Sequence, residues 1–298
     1  MALTTDQTKP WTKDAGLVAH ATGLVVNALL TVAKFVVGWI AASEALTADG
    51  FNSAGDIFAT AVGFVGYRYA QKPPDEDHHY GHGNAESIAG LIIGTVLAAT
   101  GIFIAIEGLL ASIQGKSSAP DSLALWVALL TVVTKEALYR YASSVGKRLR
   151  SPSLLASARD HRGDVLVALT VFAGILAARL GVPVLDPIAA CGIGIYLVYF
   201  AIEPIRSNVG ILMDQAPPAM QEGLLELVLA EPGVERATQL RLHPVGARLV
   251  VDLEIFVDAE LSLREAHSIA HRVEDRLLSA RSEIDSVHVH VNPFTPKR

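Results

Sequence analysis

Two stretches of the chain carry oxygen donors at spacings that could hold a cation. In TADGFNSAGD, Asp49, Asn52 and Asp56 stand at i, i+3 and i+7, which places all three on one face of a helix. In DHRGD, Asp160 and Asp164 stand at i and i+4 and again share a face, with His161 and Arg162 next in line. Both stretches interrupt strongly apolar sequence. An acidic side chain at the centre of a membrane helix costs about 2.5–3.5 kcal/mol even on the lenient insertion scale, so something cationic must offset its burial. Carboxylates from two helices, joined by one carboxamide, make an all-oxygen donor set suited to a divalent cation. The competing explanation is that the acids pair with basic residues of neighbouring helices. Lys34, Lys135 and Arg162 are available for that, while Asp186 and Glu203 fall near segment ends where water can reach them.

A third group lies between these stretches. The segment DEDHHYGH puts three acids and three histidines into eight residues, with Asp75 three positions before His78 and His82 four positions after it. Imidazole and carboxylate together suit a transition metal such as zinc; a solvated polar loop is the other reading.

The elements that must position these groups follow from composition. The chain has 298 residues, 51% of them hydrophobic and only 18% charged, with a mean hydropathy of +0.39. That balance predicts a multi-pass α-helical membrane protein. About 20 apolar residues cross a bilayer, and six segments qualify: 15–41, 45–70, 85–112, 122–144, 154–180 and 186–206. Basic residues including Arg68, Lys72, Arg140, Lys147, Arg148 and Arg206 would share one side, against Lys116 and Arg179 on the other. Both termini are therefore expected in the cytoplasm. Residues 1–14 form a polar cytoplasmic tail without the pattern of a cleavable signal, and 15–214 form the membrane domain. The net charge of −6 and the lack of a basic tract argue against nucleic acid, and a lone Cys191 excludes an organising disulfide or thiolate cluster.

After Asp214 charged residues become frequent. Residues 220–230 read as a helix, 237–243 and 249–257 as strands, 262–279 as an amphipathic helix and 287–291 as a last strand. Ser262 with Glu265 has the spacing of a capping box. Residues 215–298 thus form a small cytoplasmic α+β domain, long enough to dimerise and short for an enzyme.

With these residues in view, the chain resembles the cation diffusion facilitators. The resemblance rests on N52-S-A-G-D56 and D160-H-R-G-D164, on the loop from Pro73 to Glu86, on L185-D-P-I and on V287-H-V-H-V-N-P293. It covers nearly the whole chain. It implies six membrane helices, a cytoplasmic ferredoxin-like domain, a homodimer, and export of a divalent metal in exchange for protons across a plasma membrane. The metal would be substrate, with no tightly bound cofactor. Residue by residue, the family's transport site falls on Asn52, Asp56, Asp160 and Asp164, with Asp49 and His161 as possible additions. Zinc-carrying members typically have histidine at one or both positions matching Asn52 and Asp160. The all-oxygen set is similar to the manganese-exporting branch, which makes Mn²⁺ the expected ion, with Fe²⁺ next and Zn²⁺ or Co²⁺ after. Asp75, His78 and His82 match a second, cytoplasmic metal site. In the C-terminal domain Glu254, His267 and His290 match regulatory ligand positions, while Asn292 replaces an acid; His243, His271 and His288 are extra and read as surface residues. Asn84 stands where the family can carry a lysine paired with the acid matching Asp214, so Asp214 needs another partner or water.

Three acids in one empty cage repel each other and take up protons, which an arriving cation displaces; that is the expected coupling. A membrane-bound hydrolase is the alternative from a different class, but H-E-x-x-H, G-x-S-x-G and similar motifs are missing from the sequence. A membrane-anchored metal sensor without transport is another, and the acids inside apolar helices count against it.

Overall fold

The computed structural model describes residues 11–114, 118–149, 151–216 and 218–295. Residues 1–10 of the expected tail, along with Lys116, lie outside them. Six long helices come first: α1 (Trp11–Ile40), α2 (Glu44–Ala70), α3 (Asn84–Gln114), α4 (Ser122–Leu149), α5 (Pro152–Arg179) and α6 (Leu185–Leu212). Each coincides with one expected segment. Then come α7 (Pro218–Leu229), β1 (Arg236–Val245), β2 (Arg248–Asp258), α8 (Leu263–Ala280) and β3 (Ile284–Phe294), in the order read from the sequence.

Among the described residues, five helices contain stretches long and apolar enough to cross a membrane: Val18–Ile40, Asn84–Gln114, Ser122–Arg148, Ser157–Arg179 and Leu185–Leu212. The sixth expected span, α2, falls short of that standard. Its 27 residues are about 40 Å long at 1.5 Å per residue, so length is not the obstacle. Glu44, Asp49, Asn52 and Asp56 dilute its apolar surface instead, and the last three are residues that could do chemistry.

Contacts divide the chain into two compact units, and the composition change after Asp214 falls inside the second. The first holds α1, α2 to Thr60, α3 from Thr95, α4, α5 and α6 to Ile202. Within it α4 packs along α5 and against α1. Small residues let α3 and α6 touch backbone to backbone: a methyl group on Gly101 would come within 2.7 Å of Gly194 O. The Asp186 carboxylate, from the first turn of α6, accepts from Ser43 Oγ at 2.7 Å and Glu44 N at 2.6 Å. It therefore caps α2, supplying acceptors that the orphan N–H groups of a helix start require. Asp186 is only 2% exposed, which corrects the expectation that water reaches it.

The second unit holds α2 from Ala61, the loop after it, α3 to Gly94, α6 from Glu203 and the C-terminal elements. There α3 meets the β1–β2 turn: Gly246 N donates to Asn84 Oδ1 at 2.9 Å, and Gly246 takes a φ of +64° that glycine tolerates at little cost. β2 is central in a three-stranded sheet, antiparallel to β1 and parallel to β3. Alternating residues of β2, among them Val251, Leu253, Ile255 and Val257, are buried against Ile269, Val273 and Leu277 of α8. Ser262 and Glu265 form the expected capping box at the start of α8.

Candidate metal centre

Within the first unit, one cavity of about 610 Å³ is lined by Asn52 and Asp56 from α2 and by Asp160, His161 and Asp164 from α5. The four residues read as a cation site thus open onto a common space. Their helical spacing explains it, since i, i+4 pairs project from one face. Asn27 of α1, Thr60 of α2, Ser157 and Arg159 of α5 and Tyr196 of α6 add to the polar lining.

The acids are not all free. Lys135 of α4, 1% exposed in its side chain, places Nζ 2.5 Å from Asp164 Oδ2. Lys34 of α1 lies 2.8 Å from Asp49 Oδ2 and donates to Ser53 Oγ at 2.9 Å. Arg162 turns away to Glu136 at 2.7 Å. The pairing alternative therefore holds for Asp49, which does not line the cavity and is matched by its lysine. It holds in part for Asp164, which faces both Lys135 and the cavity. Asp56 and Asp160 make no ion pair among the described residues.

His161 is 5% exposed and sits in the cavity wall, its Nε2 close to the face of Gly23 in α1. Asn27 was not singled out from the sequence. Its Oδ1 is buried and accepts no hydrogen bond among the described residues, which leaves an acceptor spare beside the acids. The signal that could have found it is the polar stripe Asn27, Thr31, Lys34 at i, i+4 and i+7 of an otherwise apolar helix.

In the second unit the loop residues come together as expected. Asp75 Oδ1 lies 3.0 Å from His78 Nδ1, and Asp75 Oδ2 lies 3.3 Å from His82 Nε2. Among the described residues, this trio is the one set of three or more His, Cys, Asp or Glu whose ligand atoms lie within 4.8 Å of one another. A turn through Gly81, at a φ of +80°, brings His82 back over His78 with ring centroids 4.3 Å apart. Asp75 also accepts from the backbone N–H groups of Asp77 and His78. Desolvation works the other way, yet the hydrogen bonds from the His78 ring and the two N–H groups together outweigh it and hold the Asp75 carboxyl below its ordinary range.

The C-terminal ligand positions are not gathered. Glu254 and His290 are register partners on β2 and β3, and Glu254 Oε2 accepts from Asn292 Nδ2 at 3.3 Å. His267 stands on α8, where its Nε2 is 3.0 Å from His271 Nε2. His243, expected as a plain surface residue, supplies the partner that Asp214 lacked: Nδ1 lies 2.6 Å from Asp214 Oδ1.

A helical membrane bundle with a carboxylate-lined cavity, joined to a small α+β domain, defines a cation-handling membrane protein. The cation efflux transmembrane domain matches residues 21–213, and the cation efflux protein cytoplasmic domain, a dimerisation module, matches residues 216–294. The manganese efflux system protein MneP of Bacillus subtilis is 32% identical over 91% of this chain and 94% of its own length. MneS of the same organism, also a manganese efflux system protein, is 33% identical over 96% and 97%. The magnetosome protein MamB of Magnetospira sp. is 31% identical over 90% and 92%. The chain belongs to the cation diffusion facilitator family, a family of cation efflux transporters, and is an integral membrane protein.

Proposed function

We propose that this protein exports Mn²⁺ from the cytoplasm in exchange for protons, with Fe²⁺ the next ion and Zn²⁺ or Co²⁺ poorer substrates. The observation that carries the reading is the donor set at four positions of the cavity: Asn52, Asp56, Asp160 and Asp164 offer oxygen alone, with the His161 imidazole in the wall beside them. Carboxylate and carbonyl oxygens suit manganese, whereas imidazole draws zinc, copper and nickel. The manganese efflux relatives support the same ion.

The mechanism follows from charge. A cation entering the cage from the cytoplasm meets Asp56, Asp160 and Asp164 and displaces the protons held by the acids without a lysine partner, Asp56 and Asp160; protons arriving from the far side later compete it off. In this reading α2 is the sixth membrane span. Its polar face stays out of lipid because Lys34 matches Asp49 while Asn52 and Asp56 line the cavity. Both termini are cytoplasmic, since Arg68, Lys72, Arg140, Lys147, Arg148 and Arg206 then lie on one side. The plasma membrane is the site of action and the working form is a homodimer, a state in keeping with the cytoplasmic dimer module. Asp75, His78 and His82 hold a second ion at the cytoplasmic face, one that prefers zinc.

The test is flux in reconstituted vesicles carrying a pH gradient. Mn²⁺ uptake is expected from wild type and lost in Asp56→Ala and Asp164→Ala. Unchanged flux in both variants would reject the site, and uptake of Zn²⁺ without Mn²⁺ would reject the ion.

A further inference from the structure

We propose that α8 carries a metal site of its own, in which His267 and His271 chelate one late divalent transition-metal ion, of the Ni²⁺, Cu²⁺ or Zn²⁺ type, and Glu274 orients the second imidazole. The site is separate from the transport cavity and does not depend on which ion is exported. It also differs from the grouping of Glu254, His267 and His290, whose ligand atoms do not come together in the chain.

The helix supplies the spacing. His267 and His271 stand at i and i+4, and their rings converge with centroids 4.3 Å apart and interplanar angle 66°. The two Nε2 atoms point at each other across 3.0 Å. Two protonated nitrogens cannot share that space favourably, so at least one presents a lone pair. Glu274 decides which. Its Oε2 lies 2.8 Å from His271 Nδ1, the geometry in which Nδ1 carries the proton and donates to the carboxylate. In the neutral ring Nε2 is then left bare and facing His267. A carboxylate on the far nitrogen of a metal-binding imidazole is a recurring support that fixes the tautomer and raises ligand basicity.

Two neighbouring cations are engaged elsewhere. Arg272 and Arg276 both reach Glu231, at 2.8 Å each. The His271 side chain is 58% exposed, so water can fill the remaining coordination positions. Two imidazoles select ions that favour nitrogen and discriminate against Mn²⁺ and Mg²⁺, which prefer oxygen. The C-terminal domain would therefore register a different ion from the one the oxygen-lined cavity favours.

The experiment uses the full chain in detergent micelles, with His78→Ala and His82→Ala introduced so that the loop is silent, and titrates Ni²⁺ by calorimetry. In that background His267→Ala and His271→Ala are each expected to weaken Ni²⁺ binding at least tenfold, because a two-point chelate needs both rings. Glu274→Gln keeps shape and exposure, and is expected to cost 10- to 100-fold, the range for an outer carboxylate support. Copper bound to the same background should display two coordinated nitrogens by paramagnetic resonance, falling to one in either histidine variant. Equal affinity with and without His271 overturns the proposal. So does a loss on His267→Ala that His271→Ala fails to reproduce, since His267 would then bind with other partners.

Discussion

Lys135 Nζ lies 2.5 Å from Asp164 Oδ2, so one acid of the cavity is already held by a cation built into α4. The pair spans two helices, and its lysine is nearly inaccessible to water. Removing one partner of such a pair leaves an uncompensated charge. Lys135→Ala is expected to destabilise the protein by about 3 kcal/mol, the low end for a buried pair because Asp164 also opens onto the cavity. Added Mn²⁺ should then raise the midpoint of thermal unfolding more in the variant than in wild type, because the ion takes the lysine's place. Thermal melts in detergent with and without Mn²⁺ measure this, and an equal rise in both proteins would contradict it.

Selectivity should follow the donor atoms. Asn52→His or Asp160→His replaces an oxygen donor by imidazole among the four residues read as the cation site, and each is expected to move the Zn²⁺ to Mn²⁺ flux ratio upward by at least tenfold. Competition flux in vesicles reads the ratio. A ratio that stays put would remove the hard-ligand argument.

His243 and Asp214, 2.6 Å apart with side chains 40% and 57% exposed, form a solvated pair. A double-mutant cycle on His243→Ala and Asp214→Ala is expected to give a coupling of about 0.2–1 kcal/mol. Asn84→Ala removes the acceptor of Gly246 N and should cost more, about 1–3 kcal/mol, because a backbone donor at a packed turn loses its partner. Chemical unfolding of the three single variants and the double variant ranks them; a cycle larger than the Asn84 effect would reverse the order.

Asp75 gives a pH dependence with a definite sign. Its carboxyl is held low in the folded loop, so its contribution to loop order is complete above the ordinary aspartate value of about 3.9. That contribution disappears as pH falls through the depressed value. A carbon-13 titration of the Asp75 carboxyl should therefore have its midpoint below that of a free aspartate. A midpoint at or above it would mean that the His78 contact does not form in solution.

The helices and strands were legible because their apolar periods are long and regular. The cavity acids were legible because carboxylates at i and i+4 have few structural reasons to interrupt apolar helices. Partner choice was not. Lys34, Lys135 and Arg162 could each have met several acids, and only packing assigns them to Asp49, Asp164 and Glu136. Asn27 escaped notice because a single amide in a membrane helix makes no motif. His243 read as a surface residue because its partner lies 29 positions earlier in the chain. Asp186 looked water-accessible at a helix end, and a contact across more than a hundred residues buries it.

That last contact limits how α2 can move. With its first turn held by an acid of α6, the helix bearing Asn52 and Asp56 is tethered at one end. Sliding along its axis would strip both acceptor contacts at once, whereas swinging about the fixed end leaves them intact. An ion carried on such an arm travels an arc, and its excursion grows with distance from the pivot: Asp56, two turns further along than Asp49, sweeps the wider path.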